Sequence, residues 1–134
     1  MKITADSNVL LRAAVMDDSA QGAVAADVLL KAELVAVSLA ALCEFVWVLV
    51  RGYKRSAAEA GDAVRKLIAA TSVVVDRPAV EAGLAILDSG GDFADGVIAF
   101  EGRRLGGQVF ASFDAEAVKL VRATGAETKL LRKR

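Results

Sequence analysis

Short apolar runs alternate with helix-period segments along the whole chain, and acidic residues stand where several of these runs give way to a helix. The runs fall at residues 2–5, 34–38, 72–75, 108–113 and 128–131, and helical patterns fill 9–15, 18–32, 39–53, 56–70, 78–87, 93–105 and 115–123. This alternation predicts an α/β fold, with a central, mostly parallel sheet of four to five strands flanked by helices on both faces. Ser38 is a suitable cap for the third helix, and Ser56-Ala57-Ala58-Glu59 has the spacing of a capping box opening the fourth. Sheets of this kind place their sites beyond the carboxyl ends of the strands. Asp6 and Asp114 fall on that edge.

Taken singly, the acids have structural explanations. Asp6, Asp92 and Asp114 suit helix N-caps, and Asp95 suits the first turn of the helix that Asp92 opens. Glu44 differs: Leu42, Cys43, Phe45, Val46 and Trp47 around it predict a helix with little face for water, and hence a carboxylate embedded in the core. Such a group needs a cation, a strong donor or a proton. Taken together, Asp6, Glu44, Asp95 and Asp114 predict a metal site, because converging carboxylates repel one another unless cations lie between them. With no histidine and a single cysteine, the ligands are oxygens, which suits Mg²⁺ or Mn²⁺ and excludes structural zinc.

The missing histidine also removes serine–histidine and cysteine–histidine nucleophile systems and histidine acid–base cleavage of RNA. No Gly-x-x-x-x-Gly-Lys loop or Gly-x-Gly-x-x-Gly fingerprint is present, which argues against nucleotide-driven motors and dinucleotide enzymes. A chain of 134 residues with 55% apolar residues suits one domain, and 17 basic against 17 acidic residues confine any phosphate binding to local patches. Cys43 reads as a buried small hydrophobe in a reducing, cytoplasmic setting. An early charge argues against a signal peptide, and Ser38 and Glu44 interrupt the apolar stretch 34–50, so core burial explains it better than a membrane span.

Four segments in order resemble the PIN-domain ribonucleases, and within them the toxin subunits of VapBC-type toxin–antitoxin pairs. They are Ala5-Asp6-Ser7-Asn8-Val9-Leu10-Leu11, Leu42-Cys43-Glu44-Phe45-Val46-Trp47-Val48-Leu49, Asp92-Phe93-Ala94-Asp95-Gly96-Val97-Ile98-Ala99 and Ala111-Ser112-Phe113-Asp114. The resemblance covers nearly the whole chain and implies a single PIN domain over 1–134 in which the strands carrying Asp6 and Asp114 are central neighbours. It implies that Asp6, Glu44, Asp95 and Asp114 are the catalytic and metal-binding acids, with Asn8 and Ser112 supporting them. Asp92 is a further candidate ligand, through the Asp-x-x-Asp form found in part of the family, or a cap. Gly96 stands where a small alanine is usual, a change expected to loosen its helix by about 1 kcal/mol. The implied activity is metal-dependent hydrolysis of RNA phosphodiesters, with one or two Mg²⁺ or Mn²⁺ ions polarising the phosphodiester and activating water. Asp6, Glu44 and Asp95 would hold the main ion, and Asp114 a second ion or the water. The implied partners are RNA, a cognate antitoxin lying in a groove near the first helices, and a second copy of the chain in a homodimer, with no membrane.

Arg12, Arg51, Lys54, Arg55, Arg103 and Arg104 follow acid-bearing segments and are candidates for guiding RNA, though solvated helix faces explain them equally well. The tail from Lys129 to Arg134 is a further basic candidate, and Trp47, Phe45 and Phe100 read as core rather than stacking platforms. Two other classes stand beside the nuclease. One is a non-catalytic PIN-like module that binds RNA or protein. The other is a phosphatase or phosphoacceptor centred on Asp6, disfavoured because Asp6-Ser7-Asn8 lacks the second acid of an Asp-x-Asp motif.

Overall fold

In chain order the elements are β1 (Lys2–Thr4), α1 (Ser7–Val15), α2 (Ser19–Lys31), β2 (Leu34–Ala36), α3 (Leu39–Trp47), a π-helical turn (Val48–Gly52), α4 (Ala57–Ala69), β3 (Val73–Val74), α5 (Arg77–Asp88), α6 (Phe93–Arg104), β4 (Val109–Ser112), α7 (Ala115–Ala123) and β5 (Glu127–Leu130). The structure is a computed structural model and describes residues 1–133; the last residue of the expected basic tail, Arg134, lies outside them. The α/β alternation is as expected, but the strands form two parallel sheets, β1-β2-β3 and β4-β5, rather than one. The ladders are brief because β1 and β2 have three residues and β3 has two.

The chain divides into two units, Met1–Asp76 and Arg77–Arg134. In the first, Ile3 lies opposite Val35 and Val35 opposite Val73. Val35, on the central strand, has no exposed surface. Backbone bonds from Ala5 N to Ala36 O (3.1 Å) and from Val37 N to Val74 O (3.0 Å) carry the ladders past the strand ends to Asp6 and Ser38, where α1 and α3 begin. Around this sheet Leu10 and Leu11 of α1, Leu42, Phe45 and Val46 of α3, and Val64 and Ile68 of α4 are buried. The Ser56 capping box is present: Ser56 Oγ accepts from Glu59 N at 3.1 Å, and Glu59 Oε1 accepts from Ser56 N at 3.0 Å. That backbone bond is the main reason the Glu59 carboxyl lies below its ordinary value.

The helix expected over 39–53 changes pitch at Val48. Tyr53 N donates to Val48 O at 3.0 Å and Arg55 N to Leu49 O at 2.9 Å, wider spacings than an α-helix uses. The turn is then tied to the end of α1. Tyr53 Oη donates to Asp17 Oδ2 at 2.8 Å, and Arg12 Nη1 pairs with Asp17 Oδ1 at 3.0 Å. The tyrosine hydroxyl is the largest influence holding the Asp17 carboxyl low, and the carboxylate in turn raises the Tyr53 phenol. Arg12, a sequence candidate for RNA, is therefore engaged in this clasp.

In the second unit β4 and β5 run parallel, with Phe110 opposite Thr128 and Ser112 opposite Leu130, joined through α7. Helices α5 and α6 approach so closely that glycine is required on both. A Cβ at Gly96 would strike the Ala82 carbonyl and come within 2.8 Å of Gly83 Cα; one at Gly83 would lie 2.7 Å from the Phe93 ring. Gly96 is thus a packing requirement, which overturns the expectation that it merely loosens α6. Among the described residues no helix is long and apolar enough to cross a membrane.

Candidate functional site

Three of the candidate aspartates, Asp6, Asp92 and Asp114, are each held by the backbone of the helix they open. Asp6 Oδ1 accepts from Val9 N at 3.0 Å at the start of α1. Asp92 Oδ1 accepts from Ala94 N at 3.1 Å, placing Asp95 in the first turn of α6. Asp114 Oδ1 accepts from Glu116 N at 2.9 Å and Ala117 N at 3.1 Å, while Ser112 Oγ accepts from Asp114 N at 3.0 Å. The cap reading of Asp6, Asp92 and Asp114 is therefore correct as far as it goes, but a cap occupies only Oδ1. Among the described residues Oδ2 of these three has no protein donor, and none of Asp6, Glu44, Asp92, Asp95 or Asp114 pairs with a lysine or arginine. The side chain of Asn8 is exposed and, among the described residues, makes no hydrogen bond to these acids.

Glu44 is exposed, contrary to the expectation of a carboxylate in the core. The apolar residues of α3 divide by angle. Leu42, Phe45, Val46 and, in the next turn, Leu49 are buried, while Ala40, Glu44 and Trp47 lie outside, with Trp47 57% exposed. Trp47 is not core either. Phe45 is, at 1% exposure, whereas Phe100 is half-buried beneath the guanidinium of Arg104, 4.6 Å from the ring centroid. Cys43 is half-buried rather than enclosed.

In the second unit the acids act on one another. Asp95 is partly buried, and burial first, then the charges of Asp92 and Asp114, push its carboxyl above the ordinary aspartate range. An uncompensated site of this sort gains when a cation enters. The donors are all carboxylate or hydroxyl oxygens, the set that hard divalent ions take. The structure thus brings Asp92, Asp95 and Asp114 under one field within the second unit, and places Asp6 and Glu44 in the first. Among the described residues no group of three or more such side chains already has the arrangement of a closed metal cage.

The first unit also carries an open groove of about 1090 Å³, lined by residues of α1, α2 and α4 that include Leu10, Ala14, Leu29, Leu30 and Leu67. Leu30 is 84% exposed, and Arg55, Glu59, Asp62 and Lys66 give the lining charges of both signs.

A model of the PIN domain matches residues 3–123, and the chain belongs to that family. Its members are generally nucleases that act on RNA, typically with divalent metals. A search among curated proteins finds no match.

Proposed function

We propose that this protein is a metal-dependent endoribonuclease and the toxin of a toxin–antitoxin pair. The observation that carries the reading is the family match, which runs through both units and takes in Asp6, Glu44, Asp95 and Asp114, none of them neutralised by a base among the described residues. That continuity also supports treating the two units as one PIN domain. In this reading Asp6, Glu44 and Asp95 hold the principal Mg²⁺ or Mn²⁺, Asp114 serves a second ion or orients water, and Asp92 is an added ligand. The bound ion supplies a Lewis acid and a water of lowered pKa.

The chain's own part is placement. Backbone N–H groups fix Oδ1 of Asp6, Asp92 and Asp114, so each Oδ2 is presented in a defined direction with little entropy left to lose. Negative charge on Asp95 is costly until a cation arrives, which favours the loaded state. The antitoxin segment is assigned to the apolar groove lined by α1, α2 and α4, and the active form is a homodimer.

The purified protein is expected to cut single-stranded RNA internally in Mg²⁺, to stop in EDTA and to recover in Mn²⁺. Tight RNA binding without cleavage under every metal tested would favour the non-catalytic module instead.

A further inference from the structure

Along α3 and into the π-turn, Glu44, Trp47 and Arg51 recur at spacings of three and four, so they share one side of the helix, and all three are exposed. The opposite side is fully used, since Leu42, Phe45, Val46 and Leu49 are buried. Among the described residues no side-chain hydrogen bond, ion pair or ring contact engages Glu44, Trp47 or Arg51. An indole left 57% exposed between a free carboxylate and a free guanidinium is an unusual surface, because aromatic area is normally withdrawn from water.

We propose that this strip binds single-stranded RNA, with a nucleobase stacked on Trp47 and an adjoining phosphate held by Arg51, delivering the chain toward Glu44. The proposal rests on the ribonuclease reading and adds to it how the substrate is gripped. Trp47 and Arg51 stand four residues apart, about one turn of the π-helical segment, a separation that one nucleotide's base and phosphate can span. With a formal net charge of +0 the protein has no general field for RNA, so grip must come from local pairs of this kind. The π-turn that carries Arg51 is anchored at its end by Tyr53 on Asp17, which fixes the guanidinium's base before substrate arrives. A second copy of the chain fits this strip less well. A stable dimer buries about 800 Å² per partner, and here a single large apolar side chain lies between two opposite charges while the helix's other large residues face inward.

Trp47 is the only tryptophan, so its emission reports on the strip directly. Short unstructured oligoribonucleotides would be titrated into wild type in EDTA and into Asp95→Asn in Mg²⁺, with a duplex of equal length as control. Saturable quenching by single strands and not by duplex is expected. The anisotropy of the same oligonucleotides carrying a fluorescent label, which reads every variant, should show affinity roughly tenfold weaker in Trp47→Leu, largely restored in Trp47→Phe, and weaker in Arg51→Ala. Unchanged emission in both proteins would overturn the proposal, and if wild type still cut RNA the nuclease reading would survive it. Quenching by a protein that never cuts would keep the strip and remove the nuclease. Shielded emission without RNA, with Trp47→Leu turning a dimer into a monomer, would assign the face to a second copy and overturn the proposal.

Discussion

Asp95→Asn is expected to lower metal-dependent RNA cleavage by roughly a hundredfold or more, the usual loss when a group that stabilises developing charge is removed from a preorganised site, while the metal-free protein becomes slightly more stable. The two effects have one cause. Burial and the neighbouring charges of Asp92 and Asp114 raise the Asp95 carboxyl in the folded state. Above the ordinary aspartate range the folded protein therefore binds more protons than the unfolded chain, and stability falls as pH rises through that window. Asparagine removes the charge and this dependence together. Because Asp95 is only partly buried, solvent screening limits the gain to about a few tenths of a kcal/mol. Thermal melts across the acid range, with and without Mg²⁺, and cleavage rates on one RNA measure both sides. Mg²⁺ should stabilise wild type more than the variant. A variant that cuts at the wild-type rate, or that loses stability without metal, would contradict the assignment.

Gly96→Ala is expected to destabilise the protein by up to about 2 kcal/mol, although alanine is the better helix former. The propensity gain is about 1 kcal/mol, whereas forcing a methyl into a filled contact costs about 1–3 kcal/mol and sometimes more. Here the new Cβ meets the backbone of Ala82 and Gly83, which cannot swing aside as a side chain would, so α5 and α6 must separate. The displaced helix carries Asp95 at the adjacent position, and activity should fall with stability. Gly102, in the same helix, is the control: its Cβ would meet nothing within 4 Å, and Gly102→Ala should gain up to about 1 kcal/mol. Urea unfolding of both variants measures the difference, and equal stabilities would remove the close-packing account.

Local signals in the residues led directly to much of this fold. Helix and strand positions follow from apolar period, and Ser56 with Glu59 marked the start of α4 because a capping box is written in four neighbouring residues. What depends on distant parts of the chain was not legible. The need for glycine at Gly96 lies in the backbone of Ala82, on another helix. Glu44 was misread because its neighbours were counted as apolar without regard to angle: Trp47 shares its side of α3, and the core takes Leu42, Phe45 and Val46. The π-turn escaped because a hydrogen bond one residue longer leaves no mark in composition. For the acids, the sequence offered capping and metal binding as rivals. With one oxygen of Asp6 and of Asp114 on the helix backbone and the other without a protein donor, the two roles are compatible.

That compatibility allows a direct test, because asparagine caps a helix about as well as aspartate and so removes only the ligand charge. Mn²⁺ binding, followed by the loss of the free ion's electron paramagnetic resonance signal, would be compared in wild type, Asp6→Asn and Asp114→Asn. The account predicts that wild type binds Mn²⁺, that Asp6→Asn and Asp114→Asn each weaken binding about tenfold or more, and that both variants keep wild-type thermal stability without metal. Mn²⁺ binding untouched by Asp6→Asn, or no binding by the wild-type protein, would contradict it.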